Sequence, residues 1–316
     1  MKEEILKAAS LLKVGNVVAI PTETVYGLAA NAFNEDAVRK IFEIKGRPLF
    51  NPLIVHIKSI DFLDELANNI PPKAKQLAQH FWPGSLTLVL PKKDIVPSII
   101  TAGKDTVAVR VPNHPVTLAL LNSLNFPLAA PSANPFGTIS PTEAKHVSDY
   151  FNEAIPMVLD GGICQNGIES TIIGFEHDEP ILYRLGSITV EEIEKIIGKI
   201  SVKNKKEIAP DAPGMLEKHY APKTKTHLEL DVNAFIQKHP NKKIGVLLFN
   251  QRIEENTFIH QEILSENGNY KQAAVNLYSA MHRLDKLGLD LIVAERFPDI
   301  DLGKSINDRL ERATKN

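Results

Sequence analysis

The sequence predicts an α/β protein: a twisted mixed sheet with helices, followed by a smaller α/β unit. Up to about residue 200, short β-branched runs alternate with helical patterns, and few helical patterns separate the later runs, which points to a mixed sheet. From Lys203 to about Glu229 the rhythm breaks into KNKKEIAPDAPGMLEKHYAPKTKTHLE, rich in charge and proline and without sustained periodicity. Beyond it the alternation resumes, with strands expected at 244–249 and 289–294 and helices at 270–287 and 305–312.

In order along the chain, the apolar run at 17–20 is a strand that ends in the loop PTET, the place where an open α/β sheet carries ligands. Asn34 caps a helix with Glu35 and Asp36 in its first turn and Val38, Ile41 and Phe42 on its apolar face. Lys45 and Arg47 leave the end of that helix before Pro48 and Pro52, and a strand resumes at 53–57. These two cations are either partners of the helix dipole or anion ligands. A helix over 71–81 and a strand over 86–90 follow. In the strand at 107–111 three valines share one face and leave Arg110 on the other. The run at 128–130 delivers Ser132, Asn134 and Ser140 into a loop, and further strands are expected at 157–159, 171–175 and 181–184, with a helix at 189–198.

Composition narrows the function classes. A chain of 316 residues with 43% hydrophobic content can bury a full core and is long enough for two domains. No apolar run approaches the roughly 20 residues that cross a bilayer, and MKEEILKAASLLKVGN reads as a charged amphipathic helix rather than a secretion signal, so a cytoplasmic location without membrane contact is expected. The lone cysteine, Cys164, excludes an intrachain disulfide and a multi-cysteine zinc site, and reads as a packing residue. A net charge of -2 and a pI near 6.6 argue against a protein that coats nucleic acid, although a local basic cleft is compatible with them.

The chemistry-bearing residues are hydroxyls and cations at strand ends: Thr22, Thr24, Lys45, Arg47, Arg110, Ser132, Ser140, Ser170 and Arg184. Such a set suits phosphate binding by charge-assisted hydrogen bonds and catalysis by positioning, without a nucleophile from the protein. Each member has a plainer alternative. Thr22, Thr24 and Ser170 are common turn formers, Arg110 and Arg184 can lie over a sheet edge, His56 can be a hydrogen-bonded structural histidine, and Glu23 reads as a solvated or turn-stabilising carboxylate. Gly303-Lys304-Ser305 ends like a phosphate-binding loop, but Pro298 stands where the upstream glycine belongs.

The strings PTETVYGLAANAF, KGRPLFNPLIVHI, WPGSLTLVL, TVAVRVPNHP, APSANPFGTISPT, ESTIIG and YRLGSI, in this order, closely resemble the YrdC domain of the Sua5/YrdC family; APGMLEKHYAPKT and the α/β tail resemble its longer Sua5 branch. The resemblance implies a YrdC-like catalytic domain at 1–202, a linker acting as a lid at 203–230 and a Rossmann-like Sua5 domain at 231–316. It implies formation of L-threonylcarbamoyl-adenylate and pyrophosphate from L-threonine, bicarbonate and ATP, with Mg2+ accompanying ATP and no metal held directly by the protein. The product would feed the threonylcarbamoyl modification of adenosine 37 in ANN-decoding tRNAs through a downstream transferase, with tRNA involved only indirectly. By the same resemblance, Thr24, His56, Arg110, Ala130 and Ser170 contact threonine. Lys45, Arg47, Asn51, Thr106, Ser132, Ser140, Arg184 and Tyr220 contact ATP, with Lys45 and Arg47 as electrostatic candidates for catalysis. Leu185 stands where the family usually has proline. Two alternatives use the same cleft: an RNA-binding module, and a related enzyme that transfers carbamoyl groups through an adenylate.

Overall fold

A computed structural model describes residues 1–203, 219–253 and 259–315, so most of the expected linker lies outside the described residues. The first domain is a nine-stranded mixed sheet. Its strands are β1 (Val18–Ile20), β2 (Gly27–Asn31), β3 (Ile54–His56), β4 (Leu86–Pro91), β5 (Thr106–Arg110), β6 (Leu128–Ala129), β7 (Thr171–Glu176), β8 (Glu179–Arg184) and β9 (Ser201–Val202). They lie in the order β1-β2-β6-β3-β5-β4-β7-β8-β9, with β3–β5, β4–β7 and β8–β9 parallel and the other pairs antiparallel.

Local chemistry explains the helix that starts the site. The Asn34 carboxamide oxygen accepts the Ala37 N–H (3.0 Å), capping Glu35–Lys45, and Gly46 ends the helix at a φ of +60° that suits glycine. Thr189 and Glu192 form a reciprocal capping box at the start of Val190–Ile197. The structure departs from the sequence reading at PTET. That loop does not lead straight to a helix but joins β1 to the antiparallel β2, whose GLAAN carries too little alternation to signal a strand. The segment expected as a strand at 157–159 contributes a single bridge, between Val158 and Ala19. The helices Pro115–Asn122 and Ala144–Phe151 went unread; the first, with LALL at its centre, lacks a polar face.

The second domain is a parallel sheet of β10 (Thr226–Glu229), β11 (Ile244–Leu248), β12 (His260–Ile263) and β13 (Leu291–Glu295), ordered β10-β13-β11-β12. β10 falls inside the stretch expected as linker; as a half-covered edge strand, THLE shows no apolar run. The helices Tyr270–Asp285 and Gly303–Ala313 bring this domain against the first. Val25, Ile139 and Ile168 of the first domain share one apolar core with Tyr220, Leu277, Tyr278, Ile306 and Leu310. Gly167 (φ +69°) lies so close to the helix Tyr270–Asp285 that a Cβ there would sit 2.3 Å from the Val275 Cα. Ser305 donates to the Gly186 carbonyl (2.8 Å), and the Thr142 and Ser279 hydroxyls meet at 3.0 Å. No described helix is long and apolar enough to cross a membrane.

Candidate active site

Strand register assembles the site at one end of the first sheet. β3 and β5 run parallel with His56 beside Arg110; β4 and β7 begin there with Leu86 paired to Thr171, and β8 ends there with Arg184 opposite Ile172. The β1–β2 loop and the loop after β6 close over that end, linked by a bridge between Gly27 and Ser132. Between them is a small cavity open to solvent, with Thr24, His56, Arg110, Ala130 and Ser170 on its wall together with Arg47, Ser132, Arg184 and Tyr220.

One side is organised around Arg110, which is 3% exposed. Its guanidinium donates to Thr24 Oγ1 (3.0 Å), to Glu23 Oε1 (2.5 Å) and to the Gly84 carbonyl (3.1 Å). Glu23 Oε2 accepts the Asn113 N–H (2.9 Å). The solvated reading of Glu23 is corrected: it is 4% exposed, and a carboxylate so buried needs the charge that Arg110 supplies. The Thr22 hydroxyl donates to the Val25 carbonyl (2.7 Å) and accepts the Thr24 N–H (3.2 Å), so the threonines form a turn as well as facing the cavity. Burial, aided by Arg110, lowers the pKa of His56 to about 3, so its ring is neutral at pH 7. The Ser170 hydroxyl lies 2.8 Å from that of Thr87, and Ala130 donates its N–H to the Ile54 carbonyl (3.0 Å).

The other side is cationic. Arg47 donates to the carbonyls of Asn51 (3.1 Å) and Pro52 (2.7 Å), and burial followed by repulsion from Arg184 lowers its pKa to about 9. Arg184 donates to the Ser170 carbonyl (2.9 Å) and hydroxyl (3.1 Å). Four of the expected ligands stand off the wall. Lys45 turns its ammonium to the carbonyls of Ser132 (2.6 Å) and Asn134, holding the loop that presents Ser132. The Ser140 hydroxyl donates to Glu169 (2.7 Å). Asn51 is fully buried, with neither amide atom partnered among the described residues. Thr106 begins β5, roughly 13 Å of strand away from Arg110.

Sequence reasoning passed over two wall residues, Glu169 and His219. Glu169 stands in ESTI beside Ser170, and its burial rests on an ion pair with Arg309, 140 positions away, and on hydrogen bonds from Ser140 and Tyr278. His219 adjoins Tyr220, and burial with Arg47, Lys45 and Arg184 nearby holds its pKa well below the ordinary histidine value. His56 Nδ1, His219 Nδ1, the Tyr220 hydroxyl and both amide atoms of Asn51 are buried without partners among the described residues. Buried polar groups are normally satisfied, so this concentration in and beside one cavity marks a place made for a polar ligand.

Comparisons with known proteins give the chain's family. The Sua5/YciO/YrdC family, described as telomere recombination, matches residues 10–186, and the C-terminal domain of threonylcarbamoyl-AMP synthase matches residues 188–314. The threonylcarbamoyl-AMP synthase of Pyrococcus abyssi is 43% identical, with the alignment covering 97% of this chain and 93% of that protein. That of Bacillus subtilis is 42% identical over 98% of this chain and 92% of its own length. The crystal structure of P. abyssi Sua5 complexed with L-threonine superposes with a TM-score of 0.93 at 41% identity, covering 100% of this chain and 95% of that one. By sequence along nearly its whole length and by fold, the chain belongs to the Sua5/YciO/YrdC family, in the form that carries the Sua5 C-terminal domain.

Proposed function

We propose that this chain makes L-threonylcarbamoyl-adenylate and pyrophosphate from L-threonine, bicarbonate and ATP. The observation that carries the reading is the two-sided cavity, with an arginine beside hydroxyls and a neutral imidazole on one side and two further buried arginines, Arg47 and Arg184, on the other. Its relatives from P. abyssi and B. subtilis bear the name of this activity, and the P. abyssi protein has been crystallised with L-threonine.

The residues divide the work as follows. Of the five N–H donors of Arg110, three are engaged with Glu23, Thr24 and Gly84, which leaves two for the substrate carboxylate. Thr24 and the neutral His56 offer hydrogen bonds to the hydroxyl and amine. The threonine amine attacks bicarbonate with loss of water, or derived CO2 with loss of a proton, and the carbamate oxygen so formed attacks the α-phosphorus of ATP as the bond to the β-phosphate breaks and pyrophosphate leaves. Arg47 and Arg184 neutralise the charge developing on the phosphates, and Ser132 adds a hydroxyl donor. Lys45 acts by fixing the Ser132 loop. Magnesium enters as the ATP complex. Glu169, the carboxylate on the wall among the described residues, is already bonded to Ser140, Tyr278 and Arg309, so the ion would be carried by ATP rather than by this carboxylate and would help neutralise phosphate charge. The product is an activated acyl adenylate that a separate transferase would pass to adenosine 37 of ANN-decoding tRNA. The relatives' names and the threonine complex favour the synthase reading and lend nothing to the RNA-binding alternative.

With Mg-ATP, bicarbonate and L-threonine the protein is expected to release pyrophosphate, and omission of any one should stop release. Equal release without threonine would sink the reading.

A further inference from the structure

The second domain reaches the cavity wall through two side chains. Arg309, fully buried on the helix Gly303–Ala313, donates from Nε to Glu169 Oε2 (3.0 Å) and from Nη1 to Asp308 (2.8 Å). Its guanidinium lies 5.3 Å from the centre of the Tyr220 ring. Tyr278, on the helix Tyr270–Asp285, donates its hydroxyl to Glu169 (3.0 and 3.1 Å to the two oxygens), and its ring stacks 5.8 Å from that of Tyr220. Glu169 and Tyr220 both line the cavity. The cation bonded to Glu169 thus comes from the other domain, as does a hydroxyl shared by its two oxygens.

We propose that Arg309 and Tyr278 are positioning residues for the adenylation reaction, acting through Glu169 and Tyr220 without touching substrate; this rests on the function proposed above. A buried carboxylate moves when its counter-charge is removed. Glu169 also holds the Ser140 hydroxyl and directly precedes Ser170, whose carbonyl holds Arg184. Its displacement therefore disturbs the cationic side of the cavity. Arg110 and Thr24 belong to a separate network centred on Glu23, and the Ser170 hydroxyl is held separately by Thr87 (2.8 Å), so the threonine side stays in place. The effect is accordingly asymmetric between the two substrates. Domain docking as such does not produce it, because Lys304–Glu191 and Lys286–Asp149 join the domains at the surface and touch no wall residue.

The test is steady-state pyrophosphate release by the full chain, varying ATP and threonine separately, with folding followed by circular dichroism. Arg309→Met is expected to raise KM for ATP about tenfold and Tyr278→Phe about fivefold, with KM for threonine within about twofold of the unaltered chain. Arg309→Lys should recover part of the loss, and Lys304→Ala should behave as the unaltered protein. Should Arg309→Met fail to fold, Tyr278→Phe decides. The proposal is overturned if the KM values do not move, if both rise together, or if Lys304→Ala gives the same change. Absence of threonine-dependent release in the unaltered chain overturns the functional reading and this proposal with it; normal release in the unaltered chain and the variants alike overturns this proposal alone.

Discussion

The two sides of the cavity handle buried charge in opposite ways. Arg110 is matched before any ligand arrives, with Glu23 at 2.5 Å and Thr24 at 3.0 Å. Arg47 is buried too, but among the described residues it bonds only to carbonyls and pairs with no carboxylate, and burial followed by Arg184 depresses its pKa. A matched arginine is a fixed template that selects a small ligand by geometry. An unmatched one stores repulsion that a polyanion relieves, so it contributes to binding and costs stability in the free protein.

The comparison breaks most visibly at Arg110. Arg110→Met leaves Glu23 buried and unpaired, which should cost about 3–5 kcal/mol of stability in denaturant titration, together with loss of threonine-dependent activity. Arg47→Met should do the reverse: KM for ATP rises about a hundredfold while stability stays within about 1 kcal/mol of the parent or increases. If both variants lose stability equally, the distinction between matched and unmatched charge is wrong.

A smaller effect sharpens the picture through pH. The folded-state pKa of His56 lies near 3, below its ordinary 6.5, so between those values the unfolded chain binds the extra proton. Its contribution is intact above about pH 6.5 and is lost as pH falls towards 3, amounting to about 1.4 kcal/mol at one pH unit below the free value. His146 and His282, lowered by burial to about 3 and about 4, act in the same direction. Thermal melts from pH 7 to 5.5 should show a falling midpoint, and His56→Gln should flatten the slope; an unchanged slope would place the proton elsewhere.

Local signals are legible in the chain. Asn34 announces its helix because a cap is made within four residues. β2, β10 and the helix Pro115–Asn122 were missed because a short or edge strand and an all-apolar helix lack the periodicity that marks an element. The site shows the same divide. Arg110, His56 and Ser170 stand out as polar groups at strand ends, whereas Glu23 looks solvated until Arg110, 87 residues later, is folded against it. Glu169 and Arg309 pair across 140 positions and two domains, a separation that no local pattern encodes.

The apolar core that Val25, Ile139 and Ile168 share with the second domain joins the two sheets through common buried surface. Neither can loosen without exposing surface that belongs to the other, so heat or a destabilising substitution in the four-stranded sheet is transmitted to the loops that carry the chemistry.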